Sequence, residues 1–437
     1  GENSLTSATS GGSNIAIGRL AGANVTTANS NMYIGYAAGY ANQTGGYNTI
    51  IGNESYSQTS AIVNFAYVTT LGAEAGRYAT GSYNTFVGYE AGKGGTTSAP
   101  YSSGHSNVAI GIQALKGFTT GTNNIAIGYQ AADSLTTAGM VTAIGDQALQ
   151  SLTGGGYGVA IGRLAMQAET GDYEFVAIGN LAGYSQNKTT LARNTYVGHA
   201  AGRYNVVGTT NTYLGYHAGM NRKGSSNTAL GQGAMENLTF GSNNVAVGNS
   251  AMSYTSGSSN AVVGAYAGRY ATGSNNTFMG YEAGQGGITS APYSSGQNNV
   301  AMGYQALKAF TTAEGNTAIG YNASMDVTTG GYNTSLGYRA GYNVTSGGNN
   351  TALGAYALFS SQTISYDTAI GFGALMDNTS GGSNVAIGWS AMEETTAAGS
   401  SVAIGYEALQ WGTHVRTIAI GYQAMYDTNA GSTSMGS

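Results

Sequence analysis

The sequence predicts an all-β chain, a parallel β-solenoid of about 24 coils with a 17-residue period. Three observations carry this. A short apolar strand ending in glycine recurs along the whole chain, from Gly18, Gly35 and Gly52 to Gly388, Gly405 and Gly421, most often 17 residues apart. The residue types around that glycine repeat: Ile, Val, Leu or Met stands just before it in all 24 units, and Ala stands three after it in 23. The composition suits short strands and tight turns, with 72 Gly, 33 Tyr, 2 Pro and 8% charged residues.

Runs rich in β-branched residues and bounded by Gly, Asn, Ser and Thr read as strands. One strand with its turns per period is a solenoid coil. Each coil advances by one strand spacing, ~4.8 Å, so the repeats amount to a rod on the order of 115 Å. The glycine closes the strand where a Cβ would clash or where φ must be positive. Asn stands four before it in 17 units. That Asn either bonds its own backbone at the turn or stacks as a ladder between coils.

Alternate strand residues face opposite sides. The positions one and three before the glycine are aliphatic or β-branched, which assigns them to the coil interior. The position two before it then points outward, yet it is Ala in 15 coils and aromatic in five. It covaries with the position four after the glycine. Leu or Met there, as at Leu307 and Met392, goes with Ala at the strand position, as at Ala301 and Ala386. An aromatic such as Phe86 goes with a glycine, here Gly92. Residues that trade volume share one space. On this assignment the space lies between identical chains around an axis, and Ala301, Leu307, Ala386, Met392, Phe86 and Gly92 form the interface of a homotrimeric rod.

The 437 residues read as one continuous domain, 1–437, with no linker. The opening Gly1–Leu5 fits the register as a glycine and its turn, and Ser432–Gly436 looks like a further strand, so the chain reads as an excerpt of a longer fibre. Residues 77–116 and 269–308 match almost residue for residue. Each copy holds a long coil with an insertion, at 89–107 and 281–299, carrying the two prolines, Pro100 and Pro292. Inserted loops on a rigid scaffold are candidates for binding. The candidate ligand-binding residues are Lys93, Pro100, Tyr101, His105, Pro292 and Tyr293.

The strands Asn384–Gly388 and Asn124–Gly128, each with Ala three later, resemble the head repeats of YadA-like trimeric autotransporter adhesins. Asn316–Tyr321 is similar to repeats of bacteriophage tail fibres. The resemblance covers essentially the whole chain, though its period is longer than that of the adhesin heads. It implies a left-handed β-roll, three chains about a threefold axis, and surface attachment. The expected location is extracellular, on a virion tail fibre or a cell surface. The expected partners are the chain itself as a homotrimer and a host or cell-surface glycan or protein.

Other chemistry finds little support. With a net charge of -5 and no basic block, nucleic acid is not an expected partner. No run approaches 18 apolar residues, so no membrane insertion is expected of this segment. Without Cys, and with His105, His199, His217 and His414 at unrelated positions, no metal or cofactor is expected and the histidines read as surface residues. Asp172 with Glu174 and Glu393 with Glu394 could form acid/base pairs for polysaccharide cleavage, but each occurs in one coil, and no enzyme is expected. Gly92–Thr96 lacks phosphate-loop spacing. Tyr after the glycine in ten coils reads as a packing ladder that could also face a glycan. An ice-binding solenoid needs an outward Thr array, and Thr195, Thr212 and Thr228 fall at a position assigned inward. The leading expectation is a structural fibre or adhesin rod.

Overall fold

A computed structural model describes residues 1–58, 63–97, 101–171, 174–187, 191–221, 223–237, 240–289 and 293–426. Pro100, Pro292, Asp172 and Ser432–Gly436 lie outside the described residues. The chain divides into two compact units, Gly1–Met220 and Asn221–Ser437. Each is a parallel β-solenoid. In the first, strands of three residues stack from Ile15–Ile17 to Thr212–Leu214, and in the second from Thr228–Leu230 to Ile418–Ile420. Register follows the repeat: Ile15 faces Met32, and Val300 faces Thr317. A second, two-residue ribbon in the latter unit pairs Glu394–Thr395 with Trp411–Gly412. No α-helix occurs among the described residues.

The glycine that closes each strand is required twice over. At Gly303 φ is 135°, a region closed to side-chain-bearing residues, and an added Cβ would lie 2.3 Å from the carbonyl oxygen of Gly320 in the next coil. The same collision recurs from coil to coil, with Gly18 against Gly35 and Gly371 against Gly388. Gly1 already occupies this position beneath Gly18, as the register of Gly1–Leu5 expects.

Where Asn stands before the strand it forms a ladder. The Oδ1 of Asn299 accepts the backbone N–H of Asn316 at 2.9 Å, and its Nδ2 donates to the carbonyl of Ala313 at 2.9 Å. Asn124 does the same with Val141 and Ala138. One side chain thus satisfies a buried donor and a buried acceptor where the strand ladder ends.

The inward and outward faces of the strand are the reverse of the sequence assignment. The middle residue of every three-residue strand but the first, where Ala16 is half-buried, is buried in its own chain: Ala301 and Ala386 are inaccessible, as are Phe86 and Tyr196. The flanking aliphatic residues point out, with Ile17 59% exposed. Two polar exceptions fix the interior: Thr70, at the middle position, meets the Oγ of Ser55, the one non-Ala three after a glycine, at 2.7 Å. The coil is narrow, and across it the middle residue meets the turn that follows the glycine. Where the turn sends in Leu or Met, the middle residue is Ala.

Leu307 and Met392 are likewise buried within the coil, and Gly92 lies under the ring of Phe86. The volume trade is real, but the shared space is inside one chain, so these six residues form the interior and not a seam between chains. Leu307 and Met392 adopt left-handed backbone conformations, φ 51° and 56°. That costs about 1–2 kcal/mol per residue, which full burial of the side chain, worth about 1.5–3 kcal/mol, offsets. A further interior position, seven after the glycine, holds Phe118, Leu135, Leu152 and Phe310, all inaccessible.

Candidate functional site

In the turn after the strand, the positions one, two and five after the glycine each stack coil upon coil. In the first unit the second and fifth of these carry charge. Glu54, Glu74 and Glu90 come from the second position, Arg77, Lys93 and Lys116 from the fifth. They interleave: Arg77 pairs with Glu54 at 2.7 Å and Glu74 at 3.1 Å, Lys93 with Glu74 at 2.7 Å and with Glu90, and Lys116 with Glu90 at 2.9 Å. Burial pushes the Glu90 carboxyl up, but hydrogen bonds from Lys93, Gln113 and Lys116 outweigh it and hold it at about 2. Amides continue the column, Gln113 donating to Glu90 and Gln130 to Gln113, both at 2.9 Å.

Lys93 is therefore fully engaged within the chain. Of the other residues named from the insertions, Tyr101 is half-buried, and exposed His105 places its Nδ1 3.2 Å from the Oγ of Ser106. Both insertions rejoin the stack at once, through parallel bridges of Ala79 with Ser102 and Ala271 with Ser294. Tyr293 stacks on Tyr270 at 5.8 Å, next to Tyr254. The insertions thus contribute to the coil surface at these residues.

The histidines are only partly as expected. His414 is buried, its Nε2 2.7 Å from the Trp411 carbonyl oxygen. His199 and His217 sit on adjacent coils with ring centroids 5.6 Å apart, beside Tyr216. Among the described residues no group of three or more metal-ligating side chains converges. Glu174 pairs with Arg193 at 2.8 Å.

In the second unit the residue after the glycine builds an exposed aromatic column. Tyr281, Tyr304, Tyr321 and Tyr338 stack with centroids 5.4, 5.0 and 5.2 Å apart and nearly parallel planes. Just before its first ring the surface opens into a cleft of about 590 Å³ lined by Gln232, Asn249, Ser250, Tyr266, Arg269, Tyr281 and Glu282. Tyr266 meets Tyr281 edge-on at 5.9 Å and 88°, and the lining of the cleft is mostly polar. Ser250 in this lining is a small residue at the position that carries Glu54, Glu74 and Glu90 in the first unit, which leaves the space. Glu282 is engaged by Lys308 and Gln305, both at 2.7 Å.

Sequence reasoning passed over this cleft. Its signal was readable: residues 77–116 and 269–308 match, but just upstream Tyr266 stands where the first copy has Glu74. Among the described residues no helix is long and apolar enough to cross a membrane. No protein-family model, curated protein or solved structure matches the chain.

Proposed function

We propose that the chain is a structural segment of an attachment fibre, assembled as a homotrimer and displayed on a virion tail fibre. A bacterial surface adhesin of the same build is the alternative. One observation carries this reading: on the outer face of the strand column, the row of residues just before the closing glycines is apolar throughout. Ile17, Leu71, Leu214, Leu230, Met279 and Leu336 are all exposed in the single chain. Summed over stacked coils, such a strip exceeds the few hundred Å² that a soluble chain usually leaves bare. A second and third copy carry the same strip at the same one-strand spacing, so identical chains match it in register about an axis. The residues assigned to the interface thus change to those flanking the middle of each strand.

Light scattering of the full chain tests the assembly. A mass three times that of the chain is expected, falling to one when Ile319 and Leu336 are both replaced by Asp; a monomeric parent chain refutes it. Antibody labelling of virion tails against bacterial envelopes separates the two settings.

A second reading has gained a supporting observation. Thr212, Thr228 and Thr334, assigned inward from sequence, are exposed on the flat outer face. An outward Thr array is what ice binding requires. Thermal hysteresis of the full chain supports that reading, and its absence removes it.

A further inference from the structure

We infer that the cleft beside Tyr281 binds an acidic sugar residue, its carboxylate held by Arg269. The inference deepens the attachment reading above but draws on residues of a single chain, independent of the trimer.

The argument comes from the two copies of the repeat. In the first, Arg77 stands five after its glycine, and its guanidinium is neutralised by Glu74 of the same coil and Glu54 of the preceding one. In the second, Arg269 holds the same position, with Tyr266 in place of Glu74 and Ser250 in place of Glu54. Both carboxylates are gone and the arginine is kept. No hydrogen bond takes up its Nε–H, and among the described residues no carboxylate is ion-paired with it. Its charge is held in place by aromatic faces, 5.8 Å over Tyr254 and 5.2 Å over both Tyr266 and Tyr270. The replacement of Glu54 by Ser250 also opens the cleft, because serine is too short to fill it.

The remaining lining selects the ligand class. A guanidinium fork favours a carboxylate or other planar oxyanion. The lining, which includes Tyr266 and Tyr281, is mostly polar, which suits the hydroxyl-rich surface of a sugar. Gln232 and Asn249 supply paired donors and acceptors for sugar hydroxyls. Glu282 does not cancel Arg269, since Lys308 already neutralises it. A peptide would need an apolar side-chain pocket or an open strand edge, and this cleft has neither.

Calorimetric titration of the full chain with trigalacturonate, glucuronate oligomers and sialyllactose is the test, with methyl-esterified trigalacturonate and tetraglutamate as controls. At least one acidic sugar should bind, and neither control should match it. Arg269→Gln should weaken binding about tenfold to a hundredfold, the scale of one charged hydrogen bond. Ser250→Glu, which restores one of the two carboxylates of the first copy at a position where Glu54 has the same left-handed φ of 51°, should abolish it. Arg77→Gln should leave it unchanged. Circular dichroism confirms that each variant is folded. The inference is overturned if no acidic sugar binds at millimolar concentration, if binding survives Ser250→Glu, or if tetraglutamate binds as well. Light scattering on the same samples separates the two readings: a trimer blind to sugars defeats the cleft alone, and a monomer that binds them defeats the assembly alone.

Discussion

A Cβ placed on Gly284 would lie 2.4 Å from the ring of Phe278, the middle residue of the strand that precedes it. The two occupy one interior space, and each dictates the size of the other. In the next coil the same space is filled the other way round, by Ala301 and Leu307, both inaccessible.

This reciprocity predicts a compensating pair. Phe278→Ala should destabilise its coil by about 3–5 kcal/mol through the cavity left. Gly284→Leu should destabilise by overpacking against the ring. The double replacement rebuilds the neighbouring coil's arrangement and should recover most of both losses, a coupling of more than about 1 kcal/mol in a double-mutant cycle. Hydrogen exchange at the amides of Gly284 and Leu307 reads it locally, as suits a repeat array that need not unfold in one step.

The glycine column should tolerate no side chain. Gly303→Ala forces a left-handed extended φ and a 2.3 Å contact with the Gly320 carbonyl oxygen, a cost on the order of 3 kcal/mol. Gly399, which has nothing within 4 Å of its added Cβ, is the control. Gly399→Ala should change stability by no more than about 0.5 kcal/mol. Equal effects from the two would contradict the stacked-glycine account.

Asp367 interrupts the asparagine ladder. Its Oδ1 accepts the N–H of Asn384 at 2.7 Å, but its buried Oδ2 has no partner where an Asn would donate. Burial pushes its carboxyl up, to about 7, against the hydrogen bonds from Asn384. The folded form thus holds a proton that the unfolded chain releases near its ordinary value of 3.8. Stability from this residue is full at low pH and declines as pH rises from about 4 to about 7. Asp367→Asn supplies the missing donor and should stabilise at pH 8 by a few kcal/mol, on the scale of relieving a buried unpaired charge. At pH 4 the gain should nearly vanish. Denaturation of both proteins at the two pH values decides it.

The Glu90 network has the opposite sign. Its folded carboxyl lies at about 2, below the ordinary 4.5, so its contribution is present above pH 4.5 and lost as pH falls toward 2. Glu90→Gln should cost about 1–2 kcal/mol at pH 7, as expected for charged hydrogen bonds that are partly solvated. The difference should close near pH 2. A constant difference across that window would show packing, not charge, at work.

The period, the three-residue strand, the closing glycine and the exchange of volume between Phe278 and Gly284 are all written in the residues. Each depends on contacts between positions at fixed spacing, which recur in every unit and so show up as a pattern. The direction of the strand's two faces is not written there. Alternation separates Val300 and Met302 from Ala301, but which side closes on itself depends on how tightly the backbone bends after Gly303. That bend, through left-handed residues such as Gln305 and Leu307, leaves an interior too narrow for anything larger than Ala beside Leu. The β-branched residues are left on the open sheet. Arg269 was half hidden: the exchange of Glu74 for Tyr266 is readable in the matched copies, but only the stacking of coils shows that both glutamates pair with Arg77 and that Ser250 stands where Glu54 does.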